Sequence, residues 1–190
     1  MYGKMYIALQ KLEQCKEFSR IIPEVRTNLV YAKPHARRRE DVLAVDGRIT
    51  VVGGFPKAAG KIKFGCSSHM ARLIIELGKY NSEFKAGIDF ANDGNFAEWL
   101  ENYCREKKWA FGKIDRSREP QELVNEDKPS MPWKVKQAVE SAGKAPKIFY
   151  ENSAVGKEPV SVLAGKDPIE VAEQAIEIAK KYRSGMKWRR

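Results

Sequence analysis

Apolar residues along the chain recur at two spacings, every three to four positions in some stretches and every second position in others, so helices and strands interleave. Met5, Leu9, Leu12 and Cys15 keep helical intervals and predict a helix over 5–19 that ends before Pro23. Thr27–Ala32 reads as a strand closed by Pro34, and Arg48–Val52, entered through an Asp46-Gly47 turn, reads as a second strand. Gly53-Gly54-Phe55-Pro56 interrupts it before Lys61–Phe64 resumes an extended pattern. Leu73, Ile74, Ile75 and Leu77 give one apolar helical face from Ser67 or Ser68 to about Tyr80. A strand over Phe84–Phe90, a helix with Phe96, Trp99, Leu100 and Tyr103 behind an Asn92-Asp93-Gly94 cap, and a strand over Trp109–Ile114 follow. Residues 117–130, polar and holding Pro120 and Pro129, predict a loop or flap, with a helix opening at Pro132. Short strands at Lys147–Tyr150 and Val160–Leu163 flank a loop ending in Gly156-Lys157-Glu158-Pro159, and Asp167-Pro168 opens the last helix.

Interleaved helices and strands imply an α/β domain whose sheet carries helices on its faces. Several connections are short enough for antiparallel pairing, which predicts a mixed sheet rather than a Rossmann order. A chain of 190 residues suits one large domain. No apolar run is long enough to span a bilayer, and Lys4, Lys11 and Glu13 make the start unlike a signal peptide, so a cytoplasmic protein with no membrane partner is expected. Cys15, Cys66 and Cys104 are odd in number and far apart, supporting neither a zinc knuckle nor a disulfide framework.

Charge narrows the partner. Thirty-five Lys and Arg against 25 Asp and Glu leave a net charge of +10, which suits phosphorylated small molecules or nucleic acid without choosing between them. The triple arginine Arg37–Arg39 is followed at once by Glu40 and Asp41 and reads as a solvated face, so no specific nucleic acid is expected. Gly60-Lys61 and Gly156-Lys157 lack the glycine spacing of a Walker A loop.

The richest stretch is Lys63–Arg72. Ser67 or Ser68 can cap the helix behind it with a hydroxyl, the helix start can hold a phosphate, and His69 and Arg72 stand in the first turn beside that anion position. Ordinary capping and a surface histidine would account for the same residues. Further polar clusters fall at predicted strand ends or helix starts: Asn28, Arg48, Asp115-Arg116 and Gly156-Lys157-Glu158. Arg48, through its fork, and Lys157, as a point charge, can each pair with phosphate.

The ordered series Ile22-Pro23-Glu24-Val25, Asn28–Ala32, Gly47-Arg48-Ile49, Phe64–Ala71, Gly156–Pro159 and Gly165–Pro168 closely resembles the ThiN family over about residues 20–182. Members are archaeal thiamine-phosphate synthases that occur alone, as the C-terminal domain of hydroxymethylpyrimidine phosphate kinases, or joined to a helix-turn-helix in regulators. The resemblance implies a three-layer α/β/α fold with a mixed, mostly antiparallel sheet, similar to class II aldolases of the AraD type. It divides the chain into an N-terminal helix (1–22) that could link to a preceding domain, a catalytic domain (23–182) and a basic tail (183–190). It implies the joining of hydroxymethylpyrimidine diphosphate to hydroxyethylthiazole phosphate with release of pyrophosphate, normally with magnesium. Arg48 and His69 fall on the family's essential arginine and histidine. Asn28, Ser67, Ser68, Arg72, Asp115, Gly156, Lys157 and Glu158 are the expected substrate and phosphate contacts, and the metal ligands stay unassigned. A homo-oligomer and a fused kinase domain are further expectations. Two positions depart from the pattern. Asp89, in Gly87-Ile88-Asp89-Phe90, stands where a cation is expected, and Lys134 follows Trp133 where glycine is frequent. The acid motivates an alternative in which the domain senses thiamine phosphates without catalysis.

Overall fold

In the computed structural model, described for residues 1–123, 127–154 and 156–185, a seven-stranded sheet runs in the order β5-β2-β1-β6-β9-β8-β7. Its strands are β1 (Leu29–Ala32), β2 (Val42–Val45), β5 (Ile62–Phe64), β6 (Ala86–Ala91), β7 (Phe111–Ile114), β8 (Ile148–Glu151) and β9 (Val160–Gly165). Every neighbouring pair is antiparallel except β7 and β8, which are parallel and joined through helix α4 (Asp127–Ala142). β3 (Ile49–Val52) and β4 (Phe55–Ala58) form a separate hairpin.

The alternation of side chains along each strand assigns two cores. Leu29, Leu43, Val45, Ile88, Ile148 and Leu163 face helices α1 (Tyr2–Glu13), α3 (Gly94–Glu106) and α5 (Pro168–Gly185). Val30, Ala44, Phe149, Val162 and Ala164 face α2 (His69–Gly78) and α4. This is the mixed, mostly antiparallel α/β/α sandwich expected from the sequence. Met5, Ala8, Leu9 and Leu12 of α1 are buried in the same core as α5, so residues 1–22 pack with the rest of the chain. Asp167 caps α5 by accepting from the Ile169 and Glu170 N–H groups at 3.0 and 3.1 Å. No described helix is long and apolar enough to cross a membrane.

Several expectations require correction. The first helix ends at Glu13, and Phe18–Ile21 form a separate 3-10 turn. Strand β2 was hidden behind the charged run, because a strand buried on both faces shows no alternation. Gly53-Gly54 is a hairpin turn into β4, not a break. Within the expected loop 117–130, residues 116–118 and 121–123 form 3-10 turns and α4 begins at Asp127. Pro129 falls in the first turn of α4, where its missing N–H has no helical acceptor, and Pro132 gives up one helical bond farther in. The backbone of α5 continues to Gly185, into the expected tail. Residues 124–126 of the expected loop, Val155 of the Gly-Lys-Glu-Pro loop and residues 186–190 of the tail lie outside the described residues.

α4 passes close to β7 at Gly112, where a Cβ would stand 2.6 Å from the Ala138 carbonyl oxygen and 3.0 Å from Pro146. Replacing Gly112 with alanine is therefore expected to push α4 outward and cost about 1–3 kcal/mol, typical of overpacking. Urea unfolding of the variant checks this, and an unchanged midpoint would refute the close approach.

Candidate active site

One end of the α2/α4 face opens into a cavity of about 320 Å³. Arg48, His69, Lys157 and Glu158, far apart in sequence, all line it. A wider cavity of about 600 Å³ adjoins it and shares Val25, Asn28, Arg48, Ser67 and His69 as walls. The two spaces thus meet at the arginine and the histidine.

Backbone geometry aims each side chain. Asn28 lies at the entry to β1, and its amide imitates a peptide: its Oδ1 accepts from Val45 N–H at 3.1 Å and its Nδ2 donates to Val45 C=O at 3.3 Å. This holds the end of β2 and the turn after it, in which Arg48 adopts a left-handed φ of +69°. A non-glycine residue there stores strain that the surrounding structure must hold in place. The Arg48 guanidinium donates through Nη1 to the Val25 carbonyl at 2.6 Å. Glu158 in turn accepts the N–H groups of Glu24 and Val25, at 3.1 and 2.8 Å. Glu158, expected as a substrate contact, thus spends both carboxylate oxygens fixing the segment on which Arg48 rests.

His69 is the first residue of α2 and faces the cavity mouth. The expected hydroxyl cap is absent: Ser68 precedes the helix but makes no side-chain capping bond, and its backbone is already helical at φ −94° and ψ −58°. The first N–H groups of α2 are therefore not consumed by that side chain, which leaves the helix start electropositive. Ser67 is buried in the wall shared by the two spaces, and Ser68 lines the outer one alone.

Two expected contacts lie elsewhere. Arg72 points away from this cavity and lines a different one. Asp115 accepts from Ser117 N–H, the Ser117 hydroxyl and Asn152 Nδ2, at 3.0, 2.7 and 3.1 Å, and pairs with Arg118. It caps a 3-10 turn, and the residue so positioned, Arg116, enters the cavity instead.

The floor is a buried ion network; the sequence singled out Arg116 only beside Asp115 at a strand end and Lys134 only as a departure after Trp133, and gave no sign of their pairing. Glu151 Oε1 accepts from Arg116 Nη1 and, at 2.8 Å, from Lys134 Nζ, and Arg116 Nη2 reaches Glu119 Oε2 at 3.2 Å. All four side chains are at most 5% exposed. Lys157 stands over them at the rim. Although the residue as a whole is exposed, partial desolvation followed by repulsion from Arg116 holds its ammonium below its ordinary pKa.

Asp89, marked in the sequence only as a departure from the family pattern, lines the same cavity. It is the acid of β6, on the face turned to α2, and its Oδ1 accepts the Asn28 N–H at 2.6 Å. Burial pushes its carboxyl up to about 6, against the opposing pull of the Asn28 bond and the charges of His69 and Arg48. An acid within an otherwise apolar six-residue strand was the signal that it is buried. For Arg116 and Lys134 no local pattern in the sequence points inward.

The family model described as thiamine-phosphate synthase ThiN matches residues 4–177. The chain belongs to that family. It is 38% identical over 177 residues to the thiamine-phosphate synthase ThiN of Methanothermobacter thermautotrophicus, covering 93% of this chain and 91% of that protein. It is 34% identical over 168 residues to the bifunctional thiamine biosynthesis protein ThiDN of Methanocaldococcus jannaschii, covering 87% of this chain and 38% of that longer protein. The crystal structure of the C-terminal domain of phosphomethylpyrimidine kinase superposes with a TM-score of 0.87 at 32% identity, over 94% of this chain and 97% of that one. L-fuculose-1-phosphate aldolase from Thermus thermophilus shares the fold alone, with a TM-score of 0.52 at 10% identity over 97% of this ThiN chain and 96% of the aldolase.

Asp89 gives the site a stability signature. Its folded pKa of about 6 lies above the ordinary 3.8, so between pH 4 and 6 the native state holds a proton that the unfolded chain releases. Stability therefore falls as pH rises through that window, and the ionised carboxylate costs about 3 kcal/mol above it. Asp89→Asn keeps an acceptor for the Asn28 N–H and is expected to flatten this slope. Denaturant unfolding from pH 4 to 7.5 measures it, and parallel curves for the two proteins would refute the assignment.

Proposed function

We propose that the two joined cavities are where this ThiN-family chain performs thiamine-phosphate synthesis, taking hydroxymethylpyrimidine diphosphate in the inner space and hydroxyethylthiazole phosphate in the outer one. The single observation that carries the reading is the convergence of Arg48, His69 and the start of α2 on the junction between the two spaces. In the reaction the thiazole nitrogen supplies the electron pair for a new bond to the pyrimidine methylene carbon, and the bond from that carbon to the diphosphate oxygen breaks. Negative charge collects on the departing diphosphate, so fixed cations aimed at that oxygen favour the transition state over the ground state. Arg48 and Lys157 take the diphosphate oxygens, with the electropositive start of α2 beside them. His69 donates a proton or hydrogen bond to the leaving oxygen.

Asp89 gives the departure from the family pattern a chemical use. Positive charge develops on the pyrimidine as the diphosphate leaves, and a buried carboxylate in the inner space opposes it at short range, where little water screens the interaction. Its burial costs stability and its charge aids the reaction. The family match and the named relatives lend the sensing alternative no support.

The resemblance implies magnesium. Among the described residues no group of three or more His, Cys, Asp and Glu side chains is placed to hold an ion. Glu158 is spent on backbone N–H groups, Glu151 on two cations, and Asp89 gives one oxygen to the Asn28 N–H. These carboxylates do not form an all-protein cage for a resident magnesium. We read it as a counter-ion that arrives on the substrate diphosphate, since magnesium favours phosphate and water ligands, and no step above passes through it.

Mixing the two substrates with magnesium and following thiamine monophosphate tests the proposal. Arg48→Ala and His69→Ala are each expected to lower kcat about 100-fold or more, the scale of losing one transition-state donor. Asp89→Asn should also slow turnover although it relieves a burial cost, and Arg72→Ala should stay near the wild-type rate. Absence of product, or unchanged rates in the Arg48 and His69 variants, would defeat the proposal.

A further inference from the structure

The triple arginine and Arg72, neither used by the site above, meet in a second cavity of about 820 Å³. Among the described residues it shares no lining residue with the inner active-site space. α2 turns His69 and Met70 to the first cavity and Arg72, Ile75 and Glu76 to the second, while α4 turns Lys134 to the first and Met131 to the second. The cavities thus flank the same pair of helices.

The arginine loop is built rather than loose. The backbone of Asp41 accepts from Lys33 N–H and donates to Arg38 C=O, both at 2.9 Å, and its carboxylate accepts from Arg37 N–H at 3.3 Å and meets the Lys33 ammonium at 3.7 Å. His35 within the loop holds a left-handed φ of +57°, strain that a merely solvated charge run has no reason to keep. Among the described residues, seven lysines and arginines line the cavity against two glutamates, and each glutamate is already paired there, Glu40 with Arg39 and Glu76 with Lys79. Arg37 and Arg38 form no ion pair among the described residues. Beneath this rim the walls are apolar, formed by Ile74, Ile75, Phe84 and Met131.

A cationic rim over an apolar floor asks for a ligand with both characters. We propose that this cavity binds a phosphorylated small molecule bearing an apolar ring, its phosphate on Arg37 and Arg38 and its ring against Ile75, Phe84 and Met131. Bare nucleic acid backbone would leave the floor unused, and a second copy of the chain would bring a like-charged face against this one. The proposal stands apart from the catalytic reading, since it concerns a different cavity.

Calorimetric titration of the full chain with AMP, inorganic pyrophosphate and a short single-stranded oligonucleotide tests it. AMP should bind saturably at one site and more tightly than pyrophosphate. The double variant Arg37→Ala/Arg38→Ala should bind AMP about tenfold more weakly or worse, with an unchanged melting temperature and the wild-type synthase rate. His69→Ala should bind AMP as the wild type does. The proposal is overturned by absence of saturable AMP binding, or by AMP binding that His69→Ala abolishes and the arginine variant keeps. It is also overturned if pyrophosphate binds as well as AMP, which removes the role of the floor, or if the oligonucleotide binds far more tightly than AMP, which makes the face a polyanion surface.

Discussion

Desolvation of one carboxylate organises the active end of the molecule. Asp89 projects from the central, fourth strand of a seven-stranded sheet into the layer under α2, where water cannot solvate its charge. What offsets that cost is a set of neighbours that must each be in place: the Asn28 N–H at 2.6 Å, then the positive charges of His69 and Arg48. The same arrangement concentrates cations around an empty volume, so the arrangement that tolerates the buried acid also attracts an anionic ligand.

A second buried assembly supports the first from below. Glu151, at the end of β8, shares one oxygen between Arg116 and Lys134, and Glu119 takes the other arm of Arg116. Such networks add little net stability over a well-packed apolar core, but removing one member strands the others in low dielectric. Here the network ties α4, the end of β8 and the turn after β7 together at the cavity floor. The polar residues around it serve the same end: Asp115 caps the turn that delivers Arg116, and Glu158 grips the segment against which Arg48 leans. Both carry charge, yet their oxygens are committed to the protein itself.

The layered fold also explains how two cavities coexist on one face. α2 and α4 lie side by side over the same strands, and each helix offers different residues to the two openings. The catalytic reading uses the start of α2, and the arginine-rich cavity uses its middle and end. Charge that looked like solvated surface in the sequence is thereby gathered around a concave, partly apolar space.

The sequence by itself determined the alternation of helices and strands, the Asp93 and Asp167 caps, the mixed sheet and the motif series that marks the family, because local periodicity and cap chemistry act within a few residues of the chain. Arg48, His69 and Lys157 were legible as candidates for the same reason, each standing at an element's edge. Strand β2 was not, since burial on both faces erases the period of two, and neither was the start of α4, whose prolines imitate a loop. Only the tertiary structure decided that Asp89, Arg116 and Lys134 turn inward while Arg72 and Asp115 do not. Inward or outward depends on which strand pairs with which and on what packs over each face, and sheet register brings together residues whose sequence neighbours carry no trace of the meeting.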